Sequence, residues 1–155
     1  MEHTQFMHEA IRLAKESVTR GGGPFGAVIV RDGDVIATGC NRVTTSNDPT
    51  AHAEMEAIRA ACSALGTSNL SGCVIYSSCE PCPMCLGAIY WARLDALWYG
   101  SSRQDASRAG FDDRIIYDEI ALPAEKRRLE TKQILATEAS IAFEDWTAKV
   151  DKTPY

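Results

Sequence analysis

The 155-residue sequence lacks an apolar run that approaches the ~20 residues of a membrane-spanning helix. Its first eighteen residues mix charged and apolar side chains, so we expect no signal peptide there. The chain also lacks an internal repeat, a low-complexity segment and a linker. These absences predict a single domain over residues 1–155, with no membrane as a partner.

Positive charge is scarce too, because 16 lysine and arginine residues face 21 aspartate and glutamate residues, for a formal net charge of −5. A protein that holds a phosphate backbone needs a basic surface, so we expect no nucleic-acid partner. Six cysteines in a chain without a leader favour a reducing compartment and therefore a cytoplasmic location. Cys40, Cys62 and Cys73 have apolar neighbours and are expected in the core.

Hydrophobic periodicity predicts an α/β fold with a mixed sheet. Apolar residues three to four positions apart indicate helices, and short apolar runs bounded by turn residues indicate strands. The expected helices cover residues 4–19, 51–65, 103–109, 113–121 and 138–150, and a further helix carries Cys82 and Cys85 and ends at about residue 93. The expected strands cover residues 27–30, 35–39, 74–77, 96–100 and 133–136. Asp32-Gly33 predicts a hairpin, and the strand–helix–strand order from residue 73 to 100 predicts a parallel crossover.

The most specific signal is a set of three cysteines within seven residues, preceded by a histidine and a glutamate. The arrangement His-x-Glu followed by Pro-Cys-x-x-Cys is the signature of zinc-dependent deaminases. One imidazole and two thiolates suit zinc, and three protein ligands leave a fourth position for a bound water or hydroxide. We therefore predict one Zn2+ per subunit, held by His52, Cys82 and Cys85. Glu54 is then the catalytic proton carrier.

The spacing of these residues constrains their geometry. Residues two apart on a helix point about 200° from each other, so His52 and Glu54 cannot share a face in the middle of a helix. Both can reach one metal ion that lies just beyond a helix N-terminus, and residues 48–50 supply helix-start signals there. Pro81 and Pro83 predict a second helix start at the cysteine pair, where the helix N-terminus favours thiolates.

Two other interpretations of the cysteines stay open at this point. A Cys-x-x-Cys pair also occurs in redox sites and in structural zinc sites. A redox pair explains neither His52 nor Glu54. A structural zinc needs a fourth ligand, and Cys79 is available, although Pro81 redirects the chain after it. Glu54 favours the catalytic interpretation, because a structural zinc has no use for a carboxylate at that position.

Four segments carry a resemblance to a known family. They are residues 22–30 (GGPFGAVIV), 45–54 (TSNDPTAHAE), 78–93 (SCEPCPMCLGAIYWAR) and 109–113 (AGFDD). In these segments the chain resembles the bacterial guanine deaminases of the cytidine-deaminase-like superfamily, and the chain ends in tyrosine, as that family does. The resemblance implies a three-layer α/β/α cytidine-deaminase-like fold with a mixed, roughly five-stranded sheet. It also implies zinc-dependent hydrolysis of guanine to xanthine and ammonia, a reaction of purine catabolism.

The resemblance further implies a homodimer whose C-terminal segments, about residues 125–155, exchange so that each tail covers the partner's site. The expected ligand is a small-molecule purine base. The residues that the resemblance assigns to this base are Asn41, Phe25, Trp91, Asp113 and Tyr155. An asparagine offers a donor and an acceptor to a purine edge, and a carboxylate accepts hydrogen bonds from the N–H groups of guanine.

Structural roles remain open for the same residues. Asn41 follows a strand and can simply close a turn. Phe25 and Trp91 can be core aromatics, and Asp113 can cap the helix that follows it. Tyr155 is a terminal residue, and chain termini are commonly frayed.

Three other functions remain open beside guanine hydrolysis. The same chemistry on guanosine, cytosine, cytidine or a triazine would be distinguished by a panel of substrates. Deamination of adenosine in transfer RNA uses the same motif, but the acidic charge balance opposes it, and residues 126–128 form only a small basic run. A metal-stabilised interaction module without catalysis is the third, and the presence of Glu54 argues against it.

Overall fold

The computed structural model describes residues 2–155, which divide into a unit ending at Asp113 and a second unit, Arg114–Tyr155. The elements of the first unit are α1 (Glu2–Thr19), β1 (Gly26–Arg31), β2 (Asp34–Cys40), α2 (Val43–Ser46), α3 (Ala53–Leu65), β3 (Cys73–Cys79), α4 (Pro83–Trp91), β4 (Ala96–Ser101) and α5 (Arg103–Arg108). The second unit contains α6 (Arg114–Ala121), a 3₁₀ helix (Ala124–Lys126) and α7 (Ala136–Ala148). No helix among residues 2–155 combines the length and the apolar character that crossing a bilayer requires.

The strands form a mixed sheet in the order β2-β1-β3-β4. β1 pairs antiparallel with both β2 and β3, whereas β3 pairs parallel with β4. Asp32 and Gly33 connect β1 to β2 with φ values of 52° and 86°, the left-handed conformations that a tight hairpin turn requires. The predicted hairpin and the predicted parallel crossover through α4 are both confirmed.

Each face of the sheet is covered by helices, which gives three layers. On one face, Phe6, Ala10 and Leu13 of α1 pack against Val28, Val30 and Tyr76. On the other face, α3 and α4 cover a core that includes Ala57, Ile89, Ile29, Ile75 and Cys73. Successive residues of a strand point to opposite faces, so odd-numbered residues of β3 face α3 and α4 and even-numbered residues face α1. The predicted α/β/α fold is confirmed.

The predicted strand at residues 133–136 is wrong. Residues 133–135 have no regular secondary structure, and Ala136 begins α7. Leu135 has a left-handed φ of 51°, which interrupts an extended chain, and the side chains of Ile134 and Leu135 are exposed. An apolar run of three residues, 134–136, does not distinguish a strand from a helix entry by periodicity. Over residues 2–155 the sheet therefore has four strands rather than about five.

Close approach of α3 to the sheet depends on Gly39 in β2. A Cβ atom at this position would overlap the carbonyl oxygen of Ala53 and lie 2.6 Å from the backbone nitrogen of Ala57. Both atoms belong to the first turns of α3, so the missing side chain lets the start of this helix lie directly on the strand.

We expect Gly39→Ala to lower the free energy of unfolding by about 2 kcal/mol or more, because the helix backbone would have to move. Gly66→Ala is the matched control, since Gly66 has open space but a φ of 65°, for which a cost of about 1 kcal/mol is expected. Urea unfolding followed by circular dichroism measures both. Equal losses in the two variants would contradict this role of Gly39.

Candidate functional site

Three metal-ligating side chains converge at the N-termini of two helices. His52 immediately precedes α3, and Cys82 immediately precedes α4, which begins at Pro83. Cys85 lies in the first turn of α4 and is fully buried. Both helices pack on the same face of the sheet, which brings their first turns together. The two predicted helix starts are confirmed.

The distances within this His-Cys-Cys cluster suit a tetrahedral zinc ion. Nδ1 of His52 lies 3.5 Å from Sγ of Cys82 and 3.5 Å from Sγ of Cys85, and all three ligand atoms lie within 4.8 Å of one another. Zinc bonds of about 2.05 Å to nitrogen and about 2.3 Å to sulfur, at a tetrahedral angle, require an N···S separation of about 3.6 Å. The three side chains therefore fit a zinc ion without rearrangement.

The electrostatics of the cluster favour a thiolate at Cys82. A hydrogen bond from Cys85 and a second from His52 lower the pKa of the Cys82 thiol, and the contact with Cys82 raises the pKa of His52. The N-terminus of α4 acts in the same direction, because its unpaired N–H groups stabilise negative charge. At least one sulfur is thus prepared to bind a cation near neutral pH.

The carboxyl group of Glu54 is buried beside this cluster. Glu54 is only 5% exposed and lies in the first turn of α3. Burial raises the pKa of its carboxyl group, while its own backbone N–H group and the hydrogen bond that the Ser77 hydroxyl donates over 3.0 Å act in the opposite direction. A buried carboxyl group of this kind, next to a metal-ligating set, can both accept and release a proton.

Cys79 does not join the cluster. Among residues 2–155, the group of side chains that can share a metal ion consists of His52, Cys82 and Cys85. The Cys79 thiol instead donates to the carbonyl oxygen of Ser102 over 3.7 Å, and burial raises its pKa to about 11. A high pKa opposes thiolate formation, so the geometry favours three protein ligands over a four-ligand structural site.

Asn41 is buried at the end of β2, where its side chain closes a loop. Its Oδ1 accepts hydrogen bonds from the backbone N–H groups of Gly23, at 3.3 Å, and Val43, at 3.2 Å. These two donors fix the orientation of the amide, because only the oxygen can accept from them. The side chain is therefore left with its amide N–H groups to offer a ligand, so it can recognise an acceptor but not a donor.

Phe25 and Asp113 lie on loops of the first unit. The ring of Phe25 meets Phe111 edge-on with centroids 5.0 Å apart, and both rings line a cavity of about 290 Å³ together with Cys79. Burial raises the pKa of Asp113, and the negative charge of Cys82 raises it further. The ligand roles of Phe25 and Asp113 stay predictions. Phe111 received no role from the sequence, although it lies in one of the resembling segments.

The structure does not bring Trp91 to the cluster of its own chain. Trp91 ends α4, six residues after Cys85, and a helix rises about 9 Å over that distance. Trp91 is 68% exposed, and the neighbouring Tyr90 is 75% exposed. Tyr155 belongs to the second unit and is 81% exposed. The ligand roles of Trp91 and Tyr155 stay predictions.

Sequence reasoning missed Ser77, whose hydroxyl group donates to Glu54. A signal existed, because Ser77 interrupts a strand in which residues 73, 75 and 79 are otherwise apolar or cysteine. A polar residue at a core-facing strand position indicates a buried hydrogen-bond partner. The sequence alone does not identify that partner, which lies 23 positions earlier in the chain.

Comparisons with known proteins match this site and fold. Residues 1–101 match the family model of the cytidine and deoxycytidylate deaminase zinc-binding region. A guanine deaminase from Bacillus subtilis is 55% identical over all of both chains, and a crystal structure of guanine deaminase from that organism superposes with a TM-score of 0.97, covering 100% of this chain and 99% of that one. A tRNA-specific adenosine deaminase from Agrobacterium fabrum is 48% identical over 64% of this chain and 66% of its own.

These matches differ in extent. The adenosine deaminase match spans 100 residues, whereas the guanine deaminase match spans 156 aligned positions and therefore includes the second unit. The His-Cys-Cys cluster and its neighbouring carboxyl group agree with a zinc-binding deaminase. The chain therefore belongs to the cytidine and deoxycytidylate deaminase zinc-binding family, within which it is a homologue of the guanine deaminases and a zinc-dependent hydrolase.

Proposed function

We propose that this protein hydrolyses guanine to xanthine and ammonia. The observation that carries the proposal is the buried Glu54 carboxyl group, which lies in the first turn of α3, two residues after His52 of the His-Cys-Cys cluster, and accepts a hydrogen bond from Ser77. Guanine is favoured over other amino-substituted rings by the full-length similarity to a guanine deaminase. In the reaction the exocyclic C2–N bond of guanine breaks, and a C2–O bond to the oxygen of water replaces it.

The proposed metal centre holds one Zn2+ per subunit through His52, Cys82 and Cys85. In such a site zinc lowers the pKa of a water molecule towards neutrality and so supplies a nucleophile. The three side chains supply one imidazole and two sulfurs, and the two thiolates balance the charge of the ion. No fourth His, Cys, Asp or Glu side chain among residues 2–155 joins this group, so a bound ion would keep a position for water.

Glu54 moves the protons. It accepts a proton from the attacking water and delivers it to the neighbouring ring nitrogen. It then takes the remaining proton of the new C2 hydroxyl group and passes it to the departing amine, so that C2=O forms as the C2–N bond breaks. The carboxyl group suits this role because burial raises its pKa while the Ser77 hydroxyl group holds it in place. The same group then returns to its starting state, so no other proton carrier is needed.

The proposed purine site uses the remaining predicted residues. Asn41 donates from its amide N–H groups to an acceptor on the base, since its oxygen is occupied by backbone donors. Asp113 accepts from N–H groups of guanine. Phe25, Trp91 and Tyr155 contact the planar ring or its edge.

The proposed assembly is a homodimer in which residues 125–155 exchange between subunits. Exposed apolar side chains on α7 and just after it support the homodimer, because Phe143 of α7 is 75% exposed and Val150, two residues beyond α7, is 100% exposed in the single chain. The exposed Trp91 fits the same proposal, since a partner subunit would cover it. Six free cysteines support a cytoplasmic, reducing location.

Transfer RNA is the second candidate substrate, favoured by the similarity to a tRNA-specific adenosine deaminase. The formal net charge of −5 opposes binding of the phosphate backbone of a transfer RNA. Within the basic run at residues 126–128, Arg127 is already engaged, because its Nε donates to the carbonyl oxygens of Glu119 and Leu122 at 3.1 Å each. We therefore favour the free base.

Purified, zinc-loaded protein is expected to release xanthine and ammonia from guanine at a kcat/KM at least about 100-fold above that for guanosine, cytosine and cytidine. A site that reads a base edge by hydrogen bonds rejects rings that leave those groups unpaired. Ammonia release and chromatography of the product measure the turnover of each compound, and protein stripped of zinc is the control. Turnover of adenosine in transfer RNA instead of guanine would contradict the proposal.

Glu54→Gln is expected to retain zinc and to lose at least about 100-fold in kcat, because the amide cannot carry a proton. His52→Ala is the comparison variant and is expected to lose zinc, activity and thermal stability together, since metal binding is coupled to folding. Elemental analysis and steady-state kinetics distinguish the two. Wild-type activity in Glu54→Gln would remove Glu54 from the mechanism.

Tail exchange predicts complementation between two inactive variants. One variant lacks residues 151–155 but keeps Glu54. The other, Glu54→Ala, keeps the tail. In a mixed dimer with exchanged tails, the Glu54 of the first chain and the tail of the second chain form one complete site. Co-refolding the two chains in equal amounts should recover about a quarter of wild-type activity, from half of the dimers with one competent site each. Activity no higher than that of the separate variants would contradict exchange.

A further inference from the structure

Ser77 is a polar residue in an otherwise apolar row. It lies on β3 at the position that faces α3 and α4, and it is only 1% exposed. Cys73 and Ile75 precede it on the same face and belong to the core. Burying a hydroxyl group without a hydrogen bond costs free energy, so a serine here calls for a buried partner.

That partner is Glu54. The Ser77 hydroxyl donates to Oε1 of Glu54 over 3.0 Å, and both side chains are buried. The two residues belong to different elements, a strand and the first turn of a helix. β3 is paired on both sides, Ser77 with Ala27 of β1 and with Tyr99 of β4, so the backbone that carries the hydroxyl is held firmly.

We propose that Ser77 is a positioning residue that fixes Oε1 of Glu54, so that proton transfer uses Oε2. The inference rests on the proposed function of Glu54. The proton from water adds to Oε2 and leaves from Oε2 to the ring nitrogen, while Ser77 keeps its own proton throughout. The serine thereby holds the carboxyl group in the one orientation that serves both transfers.

The neighbouring Ser78 provides a matched comparison. Ser78 is also buried and lies on the same strand, but on the opposite face, where its Oγ accepts from the backbone N–H of Gly26 at 3.0 Å. Ser77→Ala and Ser78→Ala therefore remove the same atom from adjacent buried positions. Only the first change removes a contact with Glu54.

With zinc-loaded protein and guanine, Ser77→Ala is expected to lower kcat about 10- to 100-fold, with KM changed less than about threefold and full zinc content. Ser78→Ala is expected to keep kcat within about threefold of the wild type while lowering stability. Equal losses of kcat in both variants would overturn the proposal. Loss of zinc from Ser77→Ala would also overturn it, because the metal would then explain the lower rate.

Ser77→Thr and Ser77→Val form a second pair, nearly equal in volume and different in the hydroxyl group. Threonine is expected to retain at least about tenfold more kcat than valine, since it alone can donate to Oε1. Similar rates for the two variants would overturn the positioning role. This comparison remains decisive when the smaller alanine side chain prevents folding.

A measurement without substrate separates this inference from the proposed function. Urea unfolding of the zinc-loaded protein is measured for Ser77→Ala in two backgrounds, the wild type and Glu54→Ala. In the wild type the substitution is expected to raise the equilibrium constant of unfolding about tenfold. In Glu54→Ala the increase is expected to be much smaller, because the carboxyl group that accepts the Ser77 hydrogen bond is already absent. The same factor in both backgrounds would overturn the proposal. Absence of guanine turnover by the wild type would contradict the proposed function and leave this result standing.

Discussion

The N-termini of α3 and α4 point at one place, and the rest of the site depends on that convergence. Each helix presents unpaired backbone N–H groups and a metal-ligating residue at its start, His52 for α3 and Cys82 for α4. The sheet holds both helices on one face, and α4 follows the carboxyl end of β3, the side of an α/β sheet where ligands commonly bind. Close contact of α3 with the sheet is possible because Gly39 has no side chain.

Burial of polar side chains alters the proton affinities in this site and also costs free energy. Glu54 and Cys85 are removed from water, and a charge in such surroundings is unfavourable unless it is compensated. The Ser77 hydroxyl group compensates the carboxyl group with a hydrogen bond, and the N-terminus of α3 adds to it. A divalent cation would compensate the sulfurs, which couples metal binding to the stability of the fold. The buried sulfurs and the buried carboxyl group therefore affect both the metal centre and the stability of the fold.

Much of the local structure could be predicted because its signals are short-range. Pro83 marks the start of α4, and Asp32-Gly33 marks the hairpin, since proline restricts φ and the tight turn requires positive φ. The strand expected at residues 133–136 was wrong because its apolar run of three residues is too short to show a period that distinguishes a strand from the start of a helix. The short helix α2 was missed for a related reason, since one turn of helix leaves no repeat to detect.

The sequence by itself determined the chemical set: a histidine, a glutamate and two cysteines at the spacing that is the signature of zinc-dependent deaminases. The tertiary structure decided how those groups and their neighbours are used. It directs the Cys79 thiol to Ser102, occupies the oxygen of Asn41 with backbone donors, and places Ser77 against Glu54. The reason is physical, because residue type and spacing specify which atoms are available, whereas burial and hydrogen-bond partners depend on contacts between distant parts of the chain.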